Sequence, residues 1–178
     1  VIPPLPPSDL MYLASISRRA CFEPKIKDYS LNNETVDNLL KDIEEFRPKY
    51  LLLNAATPTL NNDLTPLTLV KEKYPEIITI AKGAHFNVLA KEALENFPAL
   101  DIAIMGEAEL TLEEILSGKE YKDILGITYR CGADIVSNER RPFNNELDKL
   151  PYPARDLVDN NIYRRPDTNE VQAVIKVS

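Results

Sequence analysis

Three apolar runs constrain this chain most: "YLLLNAA" at 50–56, "IITIA" at 77–81 and "DIAIM" at 101–105. Each is apolar on successive residues rather than on alternate ones, the pattern of a strand buried on both faces. Segments with helical spacing separate them. "ETVDNLLKDIEEF" carries Val36, Leu39, Leu40, Ile43 and Phe46 on one face, and "LTPLTLVKEKY", "FNVLAKEALENF" and "TLEEIL" follow the later strands. A shorter strand is expected ahead of them at "PKIKDY". Strand and helix thus alternate from Pro24 to Leu116, which predicts an α/β fold. The expected architecture is a doubly wound parallel sheet of flavodoxin-like type with right-handed crossovers. "GITYR" and "DIVSNE" alternate on either side of "CGA" and predict a C-terminal hairpin.

The flanks read differently. Four prolines in "VIPPLPPSD" predict a loop leaving a strand at Ile2, with Ser8 or Asp9 capping the helix "LMYLASISRRA". Asn33 is the expected cap of the next helix, Pro48 its stop, and "TPTLNND" a loop. Residues 1–140 are expected to form the α/β domain. Residues 141–168, rich in turn formers, prolines and charge, read as an interdomain linker, and 169–178 as the first strand of a truncated second domain. A chain that starts at Val1 is expected to be a processed or trimmed fragment.

Composition narrows the function classes. A net charge of −7 and a pI near 4.9 repel phosphate backbones, so nucleic acid is not an expected partner. No apolar run approaches the ~20 residues that a membrane span needs, and no signal-peptide pattern opens the chain. Two cysteines, Cys21 and Cys131, form neither a disulfide framework nor a zinc motif. A cytoplasmic location is the expectation.

In an open parallel α/β sheet, ligands bind beyond the carboxyl ends of the strands. Four loops are expected there: "PPLPPSD", "TPTLNND", "KGAHF" and "GEAEL". Each leads into a helix N-terminus, which favours anions. Gly83 and Gly106 end strands, either to let a ligand approach or to satisfy turn geometry. Thr57 and Thr59 offer hydroxyls to an amide or a phosphate, or else cap the following helix. Glu107 and Glu109 read as a capping arrangement, with acid–base or metal-ligand roles as the alternative. His85, the single histidine, has no second histidine for a metal and no paired nucleophile. No GxGxxG or P-loop sequence occurs. From the residues alone the chain is a small-ligand-binding α/β domain with no catalytic residue and no metal ligand of its own.

The collinear set "PPL…DLMYLASISRRA…PKIKD", "EEFRPKYLLLNAATPT", "KGAHF", "DIAIMGEAELTLEEIL", "GITYR" and "LDKLPYPARDL" resembles the cobalamin-binding N-terminal domain of radical SAM enzymes. That group includes the anaerobic magnesium-protoporphyrin monomethyl ester cyclases and cobalamin-dependent methyltransferases. The resemblance implies cobalamin held near Thr57, Thr59, Gly83, Ala84, His85, Gly106 and Glu107. It implies a [4Fe-4S] cluster and S-adenosylmethionine only in a C-terminal radical SAM domain, the expected partner, with a small-molecule substrate of unknown identity. Two positions depart from the family pattern: Lys82 and Ala108 stand where glycines are common. They favour the alternative of a cofactor-free interaction or substrate-gating domain. The family's cobalt-ligating histidine motif is missing from "PPLPPSD", so His85 is expected to hydrogen-bond backbone or the cofactor's periphery rather than the cobalt.

Overall fold

A computed structural model describes residues 5–29 and 35–175. The chain divides into two compact units, Thr35–Asn145 and a second made of Val1–Glu34 with Glu146–Ser178.

The larger unit is the α/β unit. Helix α2 (Val36–Phe46) precedes β1 (Tyr50–Asn54). A 3-10 turn (Thr57–Thr59), α3 (Leu60–Leu64) and α4 (Pro66–Lys73) lead to β2 (Ile78–Lys82). Helix α5 (Phe86–Asn96), β3 (Ile102–Ile104), α6 (Glu109–Leu116), β4 (Ile127–Cys131) and β5 (Asp134–Ser137) follow. Asn33 lies outside the described residues; α2 begins after Thr35, whose N–H and hydroxyl both donate to Asn38 Oδ1. Arg47 ends α2 with φ +50°, and Pro48 prevents its resumption.

The five strands lie in the order β1-β2-β3-β4-β5. β1, β2 and β3 are parallel, whereas β3–β4 and β4–β5 are antiparallel, so the expected hairpin closes one edge. The fold is α/β, and the described strands follow one another without a reversal of order. The apolar runs are the central strands. Leu53, Ala81 and Ala103 share one row, and Leu52, Ile80 and Ile102 share the next row on the opposite face. Ile80, Ala81, Ile102 and Ala103 are all fully buried, so both faces of β2 and β3 are covered. On the alanine face α3, α4 and α5 contribute Leu64, Leu67, Phe86, Ala90, Ala93 and Leu94 to one core. Small residues on both sides of this contact let α5 approach the sheet closely.

Two local expectations fail. "TPTLNND" is helical from Thr57, because Asp63 Oδ2 accepts the Thr59 hydroxyl at 2.7 Å and the Ala56 N–H at 3.3 Å, closing a turn at once. "PKIKDY" is not a strand. Burial alternates from Phe22 to Asp28 as a strand's would, but residues 22–28 carry no strand.

In the smaller unit α1 (Ser8–Arg19) buries Met11, Leu13, Ala14, Ser15 and Ile16. Its N-cap position is Pro7 rather than Ser8 or Asp9. Ser15 Oγ donates to Tyr152 O at 2.6 Å, Ala154 N–H donates to Met11 O at 3.0 Å, and Arg18 forms a two-point pair with Asp156. Tyr163, 1% exposed, donates its hydroxyl to Asp28 Oδ2. Of "EVQAVIKVS", Val171 makes one antiparallel bridge with Arg164, residues 172–175 carry no strand, and Lys176–Ser178 lie outside the described residues, as does Ile2.

Candidate functional site

Register fixes where the loops of the larger unit emerge. Asn54 pairs with Lys82, and Lys82 with Ile104, so the loops beginning at 55, 83 and 105 leave the sheet along one edge, the carboxyl edge. Thr57, Thr59, Gly83, Ala84, His85, Gly106 and Glu107 all lie on these loops. The "PPLPPSD" loop belongs to the other unit and begins outside the described residues.

The loops are cross-linked. Ala55 N–H donates to Lys82 O at 2.9 Å, extending the β1–β2 ladder past the strand end. His85 Nδ1 lies 3.3 Å from Thr57 Oγ1, so its partner is a side chain rather than the expected backbone group. The His85 ring stands edge-on to Phe86 with centroids 5.5 Å apart, and Phe86 is fully buried. That contact anchors the half-buried imidazole while leaving part of it on the surface.

The two glycines differ in kind. Gly83 has φ +143°, and a Cβ built there would lie 2.0 Å from the carbonyl oxygen of Ala55. Its missing side chain serves the neighbouring backbone. Gly106 has φ +78° with nothing within 4 Å of its Cβ position, so that direction opens to space. Ala84 and Thr57 are exposed on the other two loops of the same edge.

Thr59 and Glu107 are engaged within the protein. The Thr59 hydroxyl donates to Asp63 Oδ2. Glu107 Oε2 accepts the Asn144 N–H at 2.7 Å. Residues 138–144, which leave β5, form a strap reaching both later loops. Gly126 N–H donates to Glu139 O, Arg141 Nε donates to Thr111 Oγ1 at 2.9 Å and pairs with Glu114, and the Arg140 guanidinium donates to Asn87 O. Asn87 Oδ1 in turn accepts the Gly106 N–H at 2.7 Å. Sequence reasoning missed Asn87 and the strap. The nearest signal was a short polar residue at the start of α5, where it reads as a solvated position. Among the described residues, no group of three or more His, Cys, Asp or Glu is placed to hold a metal ion.

A family model described as the B12 binding domain matches residues 3–116, which include all three loops. The chain belongs to the B12-binding domain family. This B12-binding domain is 28% identical over 163 residues to an uncharacterised methyltransferase of Pyrococcus horikoshii, covering 89% of the chain and 35% of the relative. It is 22% identical over 157 residues to an anaerobic magnesium-protoporphyrin IX monomethyl ester cyclase of Cereibacter sphaeroides, covering 82% of the chain and 25% of the relative. The chain thus spans about a third or less of these relatives' length. Its fold is that of a region of TsrM from Kitasatospora setae, a radical S-adenosylmethionine methyltransferase solved with cobalamin and a [4Fe-4S] cluster. There the TM-score is 0.68 at 17% identity, over 93% of this chain and 33% of that one. The cobalamin-dependent S-adenosylmethionine radical enzyme OxsB gives a TM-score of 0.69 at 16% identity, over 84% of this chain and 21% of that one.

The two departures from the family pattern now have positions. Ala108 is 3% exposed at the start of α6, so its Cβ packs inward and adds no bulk at the loop surface. Lys82 ends β2 between Asn54 and Ile104 and is half-buried. Among the described residues, no helix is long and apolar enough to cross a membrane.

Proposed function

We propose that this B12-binding domain carries cobalamin over the carboxyl edge of β1–β3, for a radical SAM domain elsewhere in the same protein. The observation that carries the proposal is the family match over residues 3–116 together with the open space above Gly106. Thr57, Ala84, His85 and Gly106 contact the cofactor; Gly83, Thr59 and Glu107 act one step back by holding the loops in shape. Bound there, cobalamin supplies a methyl-carrying or redox-active cobalt. The domain's residues bind and orient it. His85, tied to Thr57 and packed on Phe86, is a contact for the corrin periphery or nucleotide tail and not the cobalt's axial ligand.

The partner, the catalytic cluster and S-adenosylmethionine belong to the proposed C-terminal domain, joined through residues 141–168. Val88 on α5 and Phe143 on the strap are each 81% exposed, apolar side chains that such a neighbour would cover. The small-molecule substrate is not part of the proposal. A cytoplasmic location, with Cys21 and Cys131 as free thiols, belongs to the same reading.

Lys82 supports a second reading, an interaction or gating domain that takes no cofactor. Anaerobic titration of the chain with hydroxocobalamin, followed by gel filtration and absorption spectroscopy, separates the two. Stoichiometric retention of the corrin bands is expected, and none at all would favour the gating domain. Electron paramagnetic resonance of the cob(II)alamin form is expected to be unchanged in His85→Ala. Nitrogen superhyperfine splitting that vanishes in this variant would overturn the role given to His85.

A further inference from the structure

Asn87 joins three segments of the larger unit. Its N–H donates to Ala84 O at 3.2 Å, its Oδ1 accepts the Gly106 N–H at 2.7 Å, and its carbonyl accepts from the Arg140 guanidinium. Ala84 and Gly106 belong to different ligand loops, and Arg140 to the strap that leaves β5. We propose that Asn87 is a positioning residue for the cofactor site. It sets the separation of the "KGAHF" and "GEAEL" loops and orients the Gly106 peptide, so that the space above Gly106 is held open before a ligand arrives. This rests on the cobalamin reading above.

The chemistry favours this residue type. The Gly106 N–H needs an acceptor, and an asparagine side chain near the start of a helix reaches sideways to one without leaving the helix. Gly106, at φ +78° and without a Cβ, otherwise has access to a wide range of conformations. One hydrogen bond to its amide removes much of that freedom. Glu107 adds a second tie through Asn144 N–H, so the loop is held on consecutive residues from two directions. Ordering the loop beforehand spares cobalamin that entropic cost on binding.

The test uses the 178-residue chain. Asn87→Ala removes the acceptor and Asn87→Asp keeps one. Amide hydrogen exchange at Gly106 in the cofactor-free protein is expected to be about tenfold faster in Asn87→Ala, and near wild type in Asn87→Asp. The hydroxocobalamin dissociation constant is expected to rise about tenfold in Asn87→Ala and to recover in Asn87→Asp. The thermal midpoints of the two variants should agree, since the bond is exposed. Unchanged exchange at Gly106 in Asn87→Ala would overturn the proposal, as would faster exchange with unchanged affinity. If the wild-type chain takes up no cobalamin, the cobalamin reading fails and the positioning role with it. The exchange data would still show whether the Asn87–Gly106 bond exists.

Discussion

Gly83 and Gly106 give the clearest contrast at the scale of single residues. Gly83→Ala forces a methyl group to within 2.0 Å of the Ala55 carbonyl at a positive φ, and the obstacle is backbone rather than a movable side chain. Its expected cost is about 3 kcal/mol or more, read from the midpoint of urea unfolding. Gly106→Ala meets no atom within 4 Å, so it should cost only about 1 kcal/mol, the penalty of the left-handed backbone. Tyr163 makes a pH-dependent prediction. Burial, with Asp28 beside it, raises its hydroxyl well above the usual tyrosine value. The folded state then keeps a proton that the unfolded state releases, so stability should fall as pH rises past about 10. Tyr163→Phe should flatten that alkaline decline while losing about 1 kcal/mol at neutral pH from the broken bond to Asp28. Chemical unfolding at pH 7 and above pH 10 checks both effects.

At the scale of elements, the amino edge of the sheet is held by polar side chains. Asp101 Oδ2 accepts from Thr79 N–H at 2.8 Å and from the Thr79 hydroxyl at 3.0 Å, and it pairs with Lys71 at 2.5 Å. Asp101→Ala unties α4 and β2 from the start of β3. A loss of about 2 kcal/mol is expected by urea unfolding, with cobalamin affinity unchanged because the ligand loops lie at the opposite edge. Arg130 on β4 does similar work for α5, donating to the carbonyls of Leu94, Phe97 and Leu100 where the helix ends. Neither cluster was legible beforehand, because the partners are 22 to 36 positions apart in the chain. The elements themselves were legible wherever hydrophobic period and length agreed. β1–β3, α5, α6 and the hairpin fall where the apolar runs put them. "PKIKDY" shows the limit: alternation fits a strand's pleat, but it does not by itself fix a laddered backbone, and residues 24–29 carry no strand.

For the whole molecule, the site was legible as a set of loops and not as a set of contacts. Parallel strands with apolar sequences put their carboxyl ends along one edge, so Thr57, His85 and Gly106 could be placed along that edge from the chain alone. Which of the seven residues face outward depended on tertiary partners such as Asp63 and Asn144, which sequence does not reveal. Catalysis is a separate question from binding. The iron–sulfur cluster belongs to the proposed C-terminal domain, and the 178-residue chain holds two cysteines, Cys21 and Cys131. Reconstituted with iron and sulfide and given S-adenosylmethionine, it is expected to form no 5′-deoxyadenosine by chromatography. A measurable yield would show that the chain holds a cluster by some other route.

Gly83 also affects how drift among relatives of this domain should be interpreted. Because its own neighbour's backbone forbids a side chain there, a lineage that had abandoned the cofactor would still keep the glycine as long as it kept the sheet. Gly106 faces open space, and neither its backbone angle nor its N–H bond to Asn87 bars a side chain that tolerates the left-handed region, so such a lineage would be free to replace it with asparagine or aspartate. Of the two glycines, the one after the third strand is therefore the better record of whether a descendant still carries its corrin.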